Sequence, residues 1–432
     1  MNWKDIYNKR LTTAAEAVKH IKSGDRVSTS HAAGEPGHII NAMIDNRKAY
    51  QNVEIAHMLP MGGSPYAQPG MEEYFRHNSV FVGKATRNTI KAGHGDFTPC
   101  HFSQIPNLWS RTMPLDVAVV HVSPPDEHGY CSLGVSVDYS KHAAENAKLV
   151  IAQVNSQMPR TLGDSFLHVS RLDFIVEHDA PLIQLPPPVI TDAERAIGEN
   201  CASLINNGDC LQLGIGAIPD AVLMSLKGKR DLGIHSEMFS DGVVELAEAG
   251  VINNIKKNFM PHKSVATFLM GTKRLYDYVH NNPAVNMFPA TFTNDPYIAG
   301  QNDNLVSINA CVQIDLMGQV CSESVGSLQI SAAGGQVDFV RAAAISRGGR
   351  SIIAMPSTAA GGSISKIVPA LEPGSVVTTG RYDVEYIVTE YGIANLKYRT
   401  VRDRARMLIN IAHPKFRDGL KAAFELRFNA KF

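Results

Sequence analysis

The decapeptide Gly233–Gly242, GIHSEMFSDG, sets one carboxylate, Glu237, between a short apolar run and a helix-like segment, VVELAEAG, that closes at Gly250. The run LGIH has the character of a buried strand, and Ser240 or Asp241 stands where a helix N-cap belongs. A carboxylate at or just past the carboxyl end of a strand lies on the edge where open α/β sheets bind ligands. A glutamate, with an ordinary pKa near ~4.3, is ionised at neutral pH and needs no base to attack a carbonyl. Alone, Glu237 reads as one of many solvated carboxylates; its neighbours have to single it out.

Four glycine-rich loops supply that context. In Leu213–Val222, LGIGAIPDAV, a strand runs into Gly214-Ile215-Gly216 and then into a helix starting near Pro219. Backbone N–H groups at such a helix start bind anions or a developing oxyanion. A dinucleotide fingerprint would need a third glycine where Pro219 stands, so a dehydrogenase has little support. In Ser331–Ala343, SAAGGQVDFVRAA, Gly334-Gly335 permits close backbone approach before a helix. In Ser357–Pro369, STAAGGSISKIVP, small residues around Gly361-Gly362 leave room for a ligand, and Ser363, Ser365 and Lys366 offer a rim suited to phosphate. In Leu316–Ser327, LMGQVCSESVGS, Glu323 reads as a hydrogen-bonding structural acid rather than a nucleophile. Each loop is also compatible with a tight turn or a flexible surface segment. No G-x-S-x-G elbow is present, which leaves serine-triad chemistry without its motif.

Bulk properties exclude several classes. Lys+Arg and Asp+Glu both number 41, and this neutrality argues against a nucleic-acid or anionic-membrane footprint. The polar start MNWKDIYNKR lacks the apolar centre of a signal peptide, and no run approaches the ~20 apolar residues of a membrane helix. Six cysteines without a C-x-x-C pair predict reduced thiols in a cytoplasmic protein. Sixteen histidines fall outside any metal-ligand spacing, so no metal is expected.

The elements that must position these loops alternate. Thr13-Ala14-Ala15-Glu16 is a capping-box pattern, its helix closes at Gly24, and the strand-like RVSTSH follows. Thr191-Asp192-Ala193-Glu194, Gly208 and CLQLGIG repeat that order. Gly24-Asp25 matches Gly208-Asp209, about 184 residues apart, and Pro36 matches Pro219 with a slip of one, each where a helix should begin. Further on, VSPPDEHGYCSLG (Val122–Gly134) resembles QIDLMGQVCSESVG (Gln313–Gly326). The expected architecture is therefore α/β: two related open α/β domains with mainly parallel sheets. Pro186–Pro188 cannot continue a helix or a central strand, which sets the domains at 1–185 and 190–432. A last helix is expected after Thr400-x-x-Asp403, with Ala405, Leu408, Ile409 and Ala412 on a core-facing stripe.

Taken together, LGIGAIPDAV, GIHSEM, SDGVV, TFLMGTKRLYD (Thr267–Asp277), INACVQIDLMGQV, GGQVDFVR, SISKIVP and VTEYGIANL resemble the acetyl-CoA hydrolase/transferase family, the glutamate-dependent CoA-transferases. SGDRV and VSPPDEHGYCSLGVSVDY extend the likeness into the first half, so it covers essentially the whole chain. The resemblance implies that Glu237 is the catalytic carboxylate, and that the backbone at Ile215, Gly216 and Gly335 forms the oxyanion hole. It implies that Gly214, Ile215, Gly216, Ala217, Ile218, Val312, Gly335, Gly362, Ser363 and Lys366 contact coenzyme A, which is a substrate as acyl-CoA. It further implies transfer of CoA to a short carboxylate such as 4-hydroxybutyrate, butyrate or acetate through a glutamyl-CoA thioester, without a metal, in a homo-oligomer (dimer or tetramer). The sequence departs from the family where SAAGGQVDF carries Ala332 and Ala333 in place of Gly and Val, and in a short loop before GGSISK. The alternatives are an acyl-CoA hydrolase on the same site and a non-catalytic sugar-phosphate or nucleotide-binding module. His31, His57, Met58 and Gln212 are candidates for recognising the carboxylate's chain and are equally candidates for packing.

Overall fold

The computed structural model describes residues 2–432. The chain forms two compact units: one runs to Pro186 and takes in Val265–Thr293, the other comprises Pro187–Ser264 and Asn294–Phe432.

The first unit is built on seven parallel strands, Arg26–Thr29, Val53–His57, Phe75–Ser79, Gly95–Phe97, Val117–Val122, Leu149–Val154 and Phe174–Glu177. Arg26–Thr29 lies between Val53–His57 and Val117–Val122, so the strand order reverses there. Every residue of Val117–Val122 is buried, as expected where both faces of a parallel sheet are covered.

The second unit repeats the plan. Cys210–Leu213 lies between Gly233–Ile234 and Leu305–Ala310, parallel to both. The sheet continues in parallel through Arg350–Ala354 and Tyr386–Thr389, and Gly392–Asn395 closes it antiparallel. The registers correspond: Val27 pairs with Ile55 and Val117, and Leu211 pairs with Ile234 and Val306. The loop likeness extends to single hydrogen bonds. Asp126 Oδ1 accepts from the backbone of His128 and Tyr130, and Asp315 Oδ1 accepts from Met317 and Gln319. An aspartate folding the next four residues around its own carboxylate explains why an Asp recurs before each glycine turn.

A division at 185/190 has no place for Val265–Thr293, which returns to the first unit. There Val285–Met287 pairs in parallel with Leu162–Gly163, and Phe268 bridges Ser136. Gly163 makes this possible: its φ is +100°, and a Cβ would sit 2.4 Å from the Met287 carbonyl.

All three capping signals form, but the first opens a shorter helix than one closing at Gly24: Thr13 accepts from Glu16 N, Ala14–Ala17 is α-helical and Val18–His20 tightens to a 3-10 turn. Thr191 and Glu194 make a reciprocal box at Asp192–Ser203, and Thr400 caps Val401–Asn410, whose Ala405, Leu408 and Ile409 are buried. That helix is not the last. Pro414–Phe428 follows, with proline at its first position and Leu420 and Phe424 buried against the same core. Among the described residues no helix is long and apolar enough to cross a membrane.

Candidate active site

The strand expected at LGIH is only two residues long, Gly233–Ile234, and runs parallel to Cys210–Leu213. Met238–Phe239 returns antiparallel to the same strand, Leu213 opposite Met238. The chain therefore reverses through His235-Ser236-Glu237. Each preceding residue of the reversal is pinned. The His235 backbone donates to Leu211 O at 3.1 Å, and the Asn302 amide donates to its ring Nδ1 at 3.1 Å. Ser236 Oγ accepts from Leu213 N at 3.1 Å and donates to Met238 O at 2.6 Å. Glu237, half-buried, stands at the end of this scaffold.

Two further residues close on its carboxylate. Asn294, fully buried, donates from Nδ2 to Glu237 Oε2 at 2.8 Å. Its Oδ1 is buried and finds no donor among the described residues, a deficit that in native proteins points to a functional site. Gly335 is the N-cap of helix Gln336–Ile345, so the carboxylate lies at the positive end of a helix. A Cβ on Gly335 would stand 1.9 Å from Glu237 Oε2 and 2.4 Å from Asn294 Nδ2. The Gly335 backbone, φ −94° and ψ 6°, suits any residue. Glycine is required there for space, because the carboxylate rests against its α-carbon.

Asn294 was not singled out in the sequence. It lies in the run TNDP, where Asp295 caps helix Pro296–Ala299, and such a run reads as turn chemistry. Nothing local marks the asparagine as the partner of a carboxylate 57 positions earlier.

The Gly214–Ile218 loop begins directly after Leu213, the residue paired with Met238 beside Glu237. Gly216, at φ +112°, is the N-cap of helix Ala217–Ser225 and holds a conformation only glycine adopts readily. Pro219 is the third helical residue, so the helix starts earlier than the proline suggests. Ser240 precedes the next helix, Asp241–Glu248, but its hydroxyl donates to Asp220 Oδ1 at 3.1 Å rather than capping that helix. Burial raises the pKa of Asp220.

The expected phosphate rim is arranged differently. Ser363 Oγ donates to Ala360 O, Ser365 Oγ to Ile367 O, and Lys366 Nζ to Cys311 O at 3.0 Å. All three donors are turned onto backbone carbonyls. Lys366, its pKa lowered by burial, thereby fixes the residue before Val312, whose own N–H donates to Cys321 O. Gly362 and Ser363 sit at the tip of the hairpin Thr358–Ala359/Ile364–Ser365. Glu323 is structural, as expected: it accepts from Thr378 Oγ1 and Gln329 Nε2.

The proposed recognition residues are packed. His57 Nδ1 meets Met58 O at 2.8 Å and its Nε2 meets the Tyr66 hydroxyl, while burial holds its pKa well below the usual value. His31 lies 3.4 Å from Asp138, both buried. Gln212 exchanges two amide hydrogen bonds with Asn309 on the adjacent strand, at 3.3 and 3.1 Å. In the shared register, buried Met58 occupies the position in the first unit that Glu237 takes in the second. The acid therefore belongs to one half of the repeat. Among the described residues no group of three His, Cys, Asp or Glu side chains could hold a metal ion.

Residues 1–186 match the acetyl-CoA hydrolase/transferase N-terminal domain and residues 271–424 its C-terminal domain. The chain is 58% identical, over 99% of its length and 100% of the relative's, to the 4-hydroxybutyrate coenzyme A transferase of Clostridium kluyveri. Among solved structures it is similar to RipA from Yersinia pestis, with TM-score 0.95 and 40% identity over 99% of this chain and 100% of that one. It is similar too to a 4-hydroxybutyrate CoA-transferase from Porphyromonas gingivalis, with TM-score 0.86 and 44% identity over 99% of this chain and 100% of that one.

Proposed function

Since this chain belongs to the acetyl-CoA hydrolase/transferase family and is a CoA-transferase, we propose that it moves CoA between an acyl-CoA and a short carboxylate by covalent catalysis at Glu237. The observation that carries the reading is the enclosure of the Glu237 carboxylate by the Asn294 amide and the bare Gly335 α-carbon. A glutamate held this way has a fixed donor beside it and, at Gly335, no side chain against its carboxylate.

The steps balance as exchanges of anions. Glu237 attacks the acyl carbonyl, the C–S bond breaks, and CoA leaves as thiolate, forming an acyl-glutamyl anhydride. The thiolate attacks the glutamyl carbonyl and expels the donor carboxylate, forming a glutamyl-CoA thioester. An acceptor carboxylate reverses both steps and restores Glu237. No proton changes hands, which accounts for a site built without a catalytic histidine. Each step passes through a tetrahedral oxyanion, for which preorganised donors are worth about 3 kcal/mol apiece. Asn294 Nδ2 already faces the oxygen that carries this charge when Glu237 is itself attacked. The first turn of helix Gln336–Ile345 adds oriented backbone dipoles. The long CoA tail supplies binding energy remote from the reacting bond. The names of the C. kluyveri and P. gingivalis relatives support 4-hydroxybutyrate as the carboxylate, and acetyl-CoA is the donor we propose for it.

The test is chemical trapping. Acyl-CoA followed by borohydride should convert Glu237 to the alcohol, seen as a mass change in its peptide. Full exchange activity with an unmodified Glu237 peptide would refute the assignment. Asn294→Ala should lower kcat for exchange by ~10²-fold, the usual cost of one such donor. Steady-state exchange between butyryl-CoA and acetate measures it, and a kcat close to the parent's would remove Asn294 from the mechanism.

A further inference from the structure

The strand that leads into Glu237 has an unusual outer edge. In the first unit, Val53–His57 is paired along both edges, Ile55 with Val27 on one side and with His77 on the other. In the second unit, Gly233–Ile234 has a strand on its inner edge, where Gly233 N donates to Asp209 O and His235 N to Leu211 O, while backbone pairing on the outer edge stops at the single bridge Leu232–Ile252. On the outer edge the Ile234 N–H donates to Asn254 Oδ1 at 2.9 Å, and the Ile234 carbonyl accepts from Lys257 Nζ at 2.8 Å. Side chains there satisfy one residue, where Phe75–Ser79 pairs with five in the first unit.

Lys257 is built into this edge. It is 5% exposed, and its Nζ also donates to Lys263 O at 2.6 Å. Its stem lies on Gly233: a Cβ there would be 2.6 Å from Lys257 Cγ. Asn254 Nδ2 donates to Ser264 Oγ at 3.0 Å, and Asn254 itself sits at φ +58°. Two side-chain hydrogen bonds thus tie the loop from Asn254 to Ser264 to itself, and two more tie it to Ile234. A buried ammonium is costly unless hydrogen-bonded, and here one of its bonds falls on the carbonyl three residues before Glu237 and the other on Lys263 O.

Building on the glutamyl-transfer reading, we propose that Lys257 is a positioning residue for Glu237. Its ammonium, with the Asn254 amide, stands in for a neighbouring strand at Ile234. That lets the chain leave the sheet one residue later and turn the carboxylate toward Asn294 and Gly335. The clearance at Gly335 is so small that a shift of the reversal moves the carboxylate off its donor or into the backbone. Displacements near 1 Å can cost ~10²-fold in rate.

The test compares Lys257→Met, which keeps the stem and removes the ammonium, with the parent in single-turnover trapping. Acyl-CoA is mixed with enzyme, borohydride is added at increasing times, and the modified fraction of the Glu237 peptide is followed. The expected result is full amplitude, a rate constant ~10²-fold lower, and a KM for acyl-CoA within about threefold of the parent. A variant that is merely less folded loses amplitude at an unchanged rate constant, and that result overturns the proposal, as does a rate within about twofold of the parent. Should Lys257→Met not fold, Asn254→Gly carries the test, because glycine accepts the positive φ and only the amide is lost. It should slow trapping by ~10-fold at full amplitude, and an unchanged rate overturns the proposal. Failure to trap Glu237 in an active parent defeats the glutamyl reading itself; trapping in the parent with an unaffected Lys257→Met defeats only the role of Lys257.

Discussion

Glu237→Ala is expected to give a folded protein whose CoA exchange is lower by roughly 10⁴-fold or more, since the group proposed to form both covalent intermediates is gone. The fold should hardly notice. Glu237 is half-buried at the end of a reversal whose scaffold comes from Ser236, His235 and Ile234. Asn294, whose amide donates to the carboxylate, then has to rearrange. Glu237→Gln separates nucleophile from shape: it preserves the length and an oxygen for the Asn294 amide, yet a neutral amide does not attack a thioester. The two variants should therefore fall together. Exchange between butyryl-CoA and acetate, with thermal unfolding beside it, is the measurement. If either variant keeps more than a few per cent of the parent's exchange at an unchanged melting temperature, another group is the nucleophile.

How much of this could be read beforehand depended on whether the signal was local. The strand–helix alternation was legible because Thr191, Glu194 and Gly208 punctuate it within a few residues. The repeat was legible because Asp126 and Asp315 fold their own turns, so each carries the same short pattern wherever it sits in the chain. Glu237 and Gly335 stand in GIHSEM and GGQVDFVR, two of the motifs that carry the family resemblance. The reason Gly335 must be glycine was not in the motif; it depends on a carboxylate brought up from 98 positions earlier.

The rest was set by tertiary contact. Asn294 looks like part of a cap, and Lys257 looks like one of many lysines until its ammonium is seen against the Ile234 carbonyl. Lys366 invites a phosphate because it follows a serine-rich turn, but packing directs it to Cys311 O. The return of Val265–Thr293 to the first unit rests on Gly163 admitting the Met287 backbone, a close approach with no local signature. Helix Pro414–Phe428 is a different case: its proline start is a local signal that the sequence does carry.

Gly335→Ala is the sharper test of the arrangement, because it adds one methyl group and removes nothing. At φ −94° and ψ 6° alanine is unstrained, so helix Gln336–Ile345 should still form. The new Cβ, however, would stand 1.9 Å from Glu237 Oε2 and 2.4 Å from Asn294 Nδ2, distances no pair of non-bonded atoms tolerates. The backbone is held by the helix and the Asn294 side chain is fully buried, whereas Glu237 is only half-buried and has more freedom to move. The carboxylate should swing aside, losing the Asn294 hydrogen bond and its line of attack together. Exchange should fall by ~10²–10³-fold, the range for a lost donor or a misplaced nucleophile. Unfolding free energy should drop by only about 1 kcal/mol, the low end for an added methyl group, since a mobile side chain can yield. The clash also makes the two sites non-additive: in a Glu237→Ala background the same methyl group should cost less stability than in the parent, because its nearest neighbour is gone. Parent-like kcat in Gly335→Ala would mean that the working position of the carboxylate is not against this glycine. Strict additivity of the two stability changes would mean that they do not touch.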